Sequence, residues 1–238
     1  FGDDGVSPVS DYREDSIGID LDSALLWSSN KATGYDLWET GSRADVGASV
    51  IADWKKSRAA FFLGRSFKQD TNSDTIFGDN SGLTDDTSDI VAETELQLGD
   101  NFTALSRVRY DDQDGELRRI DTSVSYKSDR LSLAARHYKI NDPISSTTST
   151  TVTDAPPEEI SGTVQYRLMK NWSAKYTASY DMDAGIARTQ EASFIFDDDC
   201  TYLQLYYQKR RSDLGLVGDS AGFGVRISLL TLGETRQD

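Results

Sequence analysis

The chain has 238 residues, with 25 Lys+Arg against 40 Asp+Glu and a formal net charge of −15. That balance leaves no basic excess to neutralise phosphates, which excludes a general nucleic-acid binder. One cysteine (Cys200) and one histidine (His137) cannot build a Cys/His zinc site, and no run of about 18 apolar residues offers a membrane-spanning helix. Only 37% of residues are hydrophobic, which taken alone reads as a polar soluble chain. A transmembrane β-barrel gives the same impression, because its strands alternate and its loops are polar.

Period-2 alternation runs through most of the chain. It predicts about twelve strands, at 15–27, 43–54, 58–67, 89–98, 102–110, 117–126, 131–140, 159–168, 172–181, 187–197, 200–209 and 222–231. In 159–168, Ile160, Gly162, Val164, Tyr166 and Leu168 interleave with Ser161, Thr163, Gln165 and Arg167. In 172–182, Trp172, Ala174, Tyr176, Ala178, Tyr180 and Met182 share one face, opposite Ser173, Lys175, Thr177, Ser179 and Asp181. No stretch carries a helical apolar stripe. The fold is all-β.

The connections sharpen this. Short turns at 55–57, 99–101, 127–130, 169–171 and 197–199 alternate with longer segments at 28–42, 68–88, 111–116, 141–158, 182–186 and 210–221. Outer-membrane barrels alternate in this way, with short periplasmic turns and longer outer loops, whereas Greek-key sandwiches break the series. The apolar face is rich in small residues (Ala48, Ala52, Ala104, Ala174, Ala178), while Glu93, Arg107, Asp121, Arg167 and Lys175 fall mid-strand on the other face. A wet lumen and a lipid-facing exterior fit that pattern better than a dry core does. The predicted facing puts Val164, Tyr166, Tyr176, Tyr180 and Ile120 toward lipid, and Gln165, Arg167, Lys175 and Thr177 toward the lumen. The rival is a soluble up-and-down barrel or sandwich.

Three stretches carry a family resemblance. Gly34-Tyr35-Asp36-Leu37-Trp38-Glu39-Thr40-Gly41-Ser42-Arg43 is one, with Leu37 where the family usually has Arg; Gly82-Leu83 with Thr87-Ser88-Asp89-Ile90-Val91 is the second. The third joins Asp198-Asp199-Cys200-Thr201-Tyr202 to Gly222-Phe223-Gly224-Val225-Arg226 and Leu229-Leu230-Thr231-Leu232-Gly233. Together they resemble the C-terminal part of the LPS-assembly protein LptD family (OstA/Imp).

The resemblance implies an antiparallel transmembrane β-barrel whose C-terminal portion is residues 1–238, with an N-terminal periplasmic domain and the first barrel strands lying elsewhere. It implies a transport role rather than an enzyme, no cofactor, and location in the outer membrane of a Gram-negative bacterium. The barrel would insert lipopolysaccharide into the outer leaflet. The implied partners are the lipoprotein LptE inside the barrel, lipopolysaccharide itself, and a periplasmic LPS-bridge protein reached through the N-terminal domain. It further implies a disulfide from Cys200 to that domain, and a lateral gate along the last strand, Gly222, Phe223, Gly224, Val225, Arg226 and Ile227. Arg107, Arg109, Arg119, Arg167, Lys175 and Arg226 would draw lipid phosphates into the lumen. The alternatives are a self-contained twelve-strand channel or an outer-membrane lipase.

Other candidates have plainer readings. His137 beside the Ser145–Ser146 loop lacks a nucleophile motif and reads as a hydrogen-bonding residue at a strand end. The run Asp111-Asp112-Gln113-Asp114-Gly115-Glu116 resembles a calcium loop without the spacing or the helices of an EF-hand. Cys200 itself reads as a free thiol at a strand end, or as one half of a disulfide to another segment.

Overall fold

The computed structural model describes residues 21–31, 42–68, 77, 81–141, 158–198, 200–211 and 219–229. Within them, one antiparallel sheet of 11 strands runs in chain order. The first six strands are β1 (Arg43–Trp54), β2 (Ser57–Lys68), β3 (Ile90–Leu98), β4 (Phe102–Asp111), β5 (Glu116–Lys127) and β6 (Leu131–Ile140). The remaining five are β7 (Glu158–Arg167), β8 (Trp172–Asp181), β9 (Ile186–Asp197), β10 (Thr201–Arg210) and β11 (Ser220–Leu229). Each strand follows the stretch of alternation that predicts it, because alternate side chains fall on opposite faces of a pleated strand.

Among the described residues the expected strand at 15–27 does not form, and eleven strands stand where about twelve are expected. Residues 15–20 lie outside the described residues, and 21–27 end in a 3-10 turn, η1 (Leu25–Trp27). The Asp22 carboxylate accepts from the backbone N–H of Ala24 at 3.0 Å and of Leu25 at 2.7 Å. A side chain that takes up backbone donors in this way curls the chain and competes with a sheet ladder. The supposedly long connections at 111–116 and 182–186 are corrected too. Each is a four-residue turn closed by a glycine in the left-handed region, Gly115 (φ 73°) and Gly185 (φ 69°).

These two turns are copies of one design. Asp111 Oδ1 accepts from the N–H groups of Gln113 and Asp114, and its Oδ2 accepts from Arg118 at 2.8 Å. Asp181 Oδ1 accepts from Asp183 and Ala184, and its Oδ2 accepts from Arg188 at 2.9 Å. The carboxylate that a calcium loop would offer to metal is consumed by its own turn and by an arginine. Among the described residues no group of His, Cys, Asp and Glu is arranged to hold a metal.

The chain divides into two compact units. The first holds η1, β1–β3, residues 104–111 of β4, 116–122 of β5 and 138–140 of β6. Here one sheet face is apolar and open, with Ala48 opposite Leu63 and Val50 opposite Phe61. The other face carries a small core of Leu21, Leu26, Phe77, Leu83 and Val91, flanked by Leu25 and Phe62. Gly47 and Gly64 are cross-strand partners. A Cβ on Gly64 would lie 2.5 Å from Leu26, and one on Gly47 would lie 2.8 Å from Trp27. The paired glycines therefore form the notch into which η1 sits.

Ionic contacts hold η1 there. The fully buried Lys31 Nζ donates to the Leu26 carbonyl at 2.7 Å and to Asp45 at 3.0 Å, while Arg43 pairs with the same carboxylate at 3.3 Å. Ser23 Oγ donates to Glu93 at 2.6 Å. Beside this core the Gly82–Asp89 turn closes with Asp89 N–H donating to the Gly82 carbonyl at 3.0 Å; Gly82 has φ 76°, and a Cβ there would lie 2.7 Å from the Asp89 carboxylate.

The second unit holds residues 102–103, 123–137 and β7–β11. Its strands pair without interruption from β7 to β11, with one register shift at Ser179/Tyr180.

Candidate functional site

The register of β7–β11 assembles two contrasting faces from residues far apart in sequence. One cross-strand row reads Val164, Tyr176, Ala192, Tyr207, Phe223; the next reads Tyr166, Ala174, Phe194, Leu205, Val225. Most of these side chains are about half exposed, and Phe223 reaches 89%. A soluble protein rarely leaves so large a contiguous apolar surface in water. Aromatic contacts brace it: Trp172 stacks on Phe194 at 4.7 Å, and Tyr207 meets Phe223 at 4.9 Å. A groove of about 730 Å³ opens on this face above Ala174 and Ala192, walled by Tyr166, Tyr176, Phe194 and Tyr207.

The opposite face is polar. Gln204 and Ser193 are buried there and fully engaged. Gln204 Nε2 donates to Ser193 Oγ at 3.0 Å and to Glu191 at 3.3 Å, and Ser193 Oγ donates to Glu191 at 2.8 Å. Gln204 Oε1 accepts from Tyr202 OH at 3.1 Å and from Arg226 Nη1 at 3.0 Å. This network ties β9, β10 and β11 together. Buried polar groups are costly unless paired, so full pairing makes the network a clasp.

The predicted site residues are distributed as follows. Arg167 is exposed on β7 and Lys175 half-buried on β8, both on the polar face by register. Arg226 joins the Gln204 network. In the first unit, Arg107 is exposed and pairs with Glu93 at 3.3 Å, and Arg119 is half-buried on β5. Arg109 departs from the expectation of an open, phosphate-attracting cation. It is buried, pairs with Asp89 at 3.3 Å and donates to the Ser81 carbonyl at 2.9 Å. Burial pushes the Asp89 carboxyl above its usual range against the pull of Arg109. Asp112 is held below its usual range by the hydrogen bonds of Arg65, which forks onto it at 2.9 and 3.0 Å.

Gly222, Phe223, Gly224, Val225, Arg226 and Ile227 all lie on β11, the last strand of the order. Gly224 is half-buried because the Tyr206 ring rests on it. Cys200 is an exposed free thiol in the β9–β10 turn, where its N–H donates to Asp198 Oδ1 at 3.0 Å. His137 Nε2 meets Glu158 Oε1 at 2.9 Å, an interaction between neighbouring strands; Ser145 and Ser146 lie outside the described residues. Gln204, Ser193, Glu191 and Tyr206 were not singled out in the sequence. Their signal is the alternating polar set Thr189, Glu191 and Ser193 on β9 with Tyr202, Gln204, Tyr206 and Gln208 on β10.

An antiparallel meander with apolar side chains turned out on one face and a polar network on the other defines the class. The sequence profile of LptD, LPS transport system D, matches residues 10–172. The chain belongs to the LptD family. No curated protein sequence matches it.

Proposed function

We propose that this chain forms part of the wall of a closed outer-membrane β-barrel that delivers lipopolysaccharide to the outer leaflet. The observation that carries the reading is the exposed ladder Val164–Tyr176–Ala192–Tyr207–Phe223 on one face of an all-antiparallel meander. Strands are one of only two ways to cross a bilayer with every backbone group satisfied, provided the sheet closes. The family match supports lipopolysaccharide as the cargo.

In this reading the acyl chains leave between wall strands, with Gly222–Ile227 of β11 as one lip of the gate. The sugars pass along the polar face, which fits the LptE lipoprotein as a lumenal partner. Arg107, Arg119, Arg167 and Lys175 attract phosphates along that route, while Arg109 serves the wall itself. Cys200 sits in a short turn on the periplasmic side, an oxidising compartment. Its disulfide would anchor the periplasmic domain that receives lipid from the LPS bridge. The activity is transport, without bond chemistry.

Cysteine scanning of the full-length protein in a Cys200→Ser background tests the reading. An aqueous thiol reagent labels cysteines at Gln165, Lys175 and Thr177 and spares those at Val164, Tyr166 and Tyr176. Equal labelling of the two sets defeats the membrane assignment.

A further inference from the structure

We propose that the groove above Ala174 and Ala192 seats one acyl chain of an inserted lipopolysaccharide molecule, with Lys209 at its mouth holding a phosphate of the same lipid. The inference rests on the reading of this face as lipid-facing and goes beyond it by assigning a particular site.

The shape of the groove comes from the cross-strand pattern. In one row Ala192 stands between Tyr176 and Tyr207; in the next, Ala174 stands between Tyr166 and Phe194. Two methyl groups on adjacent strands thus make a floor, and four rings make the walls. A flat lipid-facing surface needs neither. The lining is almost wholly apolar, so its occupant is hydrocarbon rather than a sugar or a headgroup.

The next position along the same face, just outside the groove lining, is a lysine. Lys209 lies two residues beyond Tyr207 and pairs across the strands with Gln190 and Ala221. Among the described residues no carboxylate pairs with Lys209. A lysine stem lies along apolar surface while its ammonium reaches the polar boundary. Hydrocarbon below and a cation above are the complement of a lipid whose acyl chain and phosphate lie close together. Orientation selects the lipid. With the Cys200 turn periplasmic, β10 runs outward to Lys209 and its mouth opens in the outer leaflet, where lipopolysaccharide resides.

The test uses the full-length protein in cells that export lipopolysaccharide. A photoreactive phenylalanine analogue replaces Tyr207 or Tyr176 in the groove wall, or Tyr180, which is equally exposed on β8 but outside the groove lining. Crosslinks to lipopolysaccharide are expected to be severalfold stronger at the groove positions than at Tyr180. Lys209→Gln should lower the groove yield about fivefold, equivalent to about 1 kcal/mol for one lysine at a charged membrane surface, and leave Tyr180 unchanged. Equal yields at all three positions overturn the groove and leave the membrane reading standing. Capture of phospholipid in place of lipopolysaccharide at Tyr207 and Tyr176 overturns the occupant. No lipid adduct at any position overturns the membrane reading with it. Heat-modified mobility of each variant on gels confirms that the wall has folded.

Discussion

The ring of Tyr206 lies on the backbone of Gly224, its direct cross-strand partner, so closely that a Cβ at 224 would sit 2.3 Å from the ring. Glycine weakens a strand because it offers nothing to pack. Here the facing aromatic covers the gap, and the Arg226 guanidinium lies 5.9 Å from the centre of the same ring. The last strand is therefore joined to β10 by side chains as well as by its ladder.

Gly224→Ala should expel the Tyr206 ring from its seat and destabilise the sheet by about 1–3 kcal/mol, the usual cost of overpacking. Unfolding in lipid vesicles measures it. The same substitution in a Tyr206→Ser background should cost much less, and an equal cost in both backgrounds would contradict the account.

Leu26→Ala removes the side chain that fills the Gly47–Gly64 notch. A fully buried leucine truncated in place costs about 2–5 kcal/mol, and η1 should become accessible to protease while β7–β11 remain protected. Gly64→Ala should give the same local exposure, because its new methyl group occupies the position of the Leu26 side chain.

Arg109→Ala leaves the largely buried Asp89 carboxylate without its nearest cation. Breaking such a pair from one side costs about 3–5 kcal/mol. The double variant Arg109→Met/Asp89→Leu should recover part of that loss, measured by the same unfolding assay. A neutral Arg109→Ala would show that the pair lies in water.

The Arg65–Asp112 fork predicts a pH dependence whose sign follows from the lowered carboxyl. A depressed acid stabilises the fold above its ordinary value of 3.8, and that contribution is lost as pH falls through the lower folded value. The protection of amides in the β4–β5 turn, with exchange corrected for its intrinsic pH dependence, should therefore fall below about pH 4 in the wild type. In Asp112→Asn that protection should already be lower at neutral pH and flat across the same window.

Strands were legible because their signal is local. Val164, Tyr166, Tyr176 and Tyr180 declare a face through parity alone, and each of the eleven strands follows a stretch of such alternation. Residues 21–27 misled for a physical reason. Leu21 and Leu26 are spaced for burial, and what buries them is a notch made by two glycines that become partners only when β1 meets β2. Arg109 misled similarly: its parity matches that of Arg107, but its environment is set by Ser81 and Asp89 in a distant turn. The Gln204 clasp was equally hidden, since its members come from three strands and each looks ordinary alone. The Asp111 and Asp181 turns could have been read directly. Each has a glycine four residues on and an arginine seven residues on, in a loop whose length otherwise suggested an outer-membrane excursion.

The likeness of those two turns extends along their flanking strands. Asn101, Ala104, Tyr110, Asp111, Gly115, Arg118 and Ser123 recur in the same order and spacing as Asn171, Ala174, Tyr180, Asp181, Gly185, Arg188 and Ser193. Even the tyrosine hydroxyl returns to the same place, 3.9 Å from a Cβ built at Gly115 and 3.8 Å from one at Gly185. The β4–β5 and β8–β9 hairpins are thus two castings of one pattern. A sheet made from interchangeable hairpins can gain or lose width by duplication in steps of two strands, keeping every residue on its own face. The width of such a sheet can therefore change without any strand having to be invented.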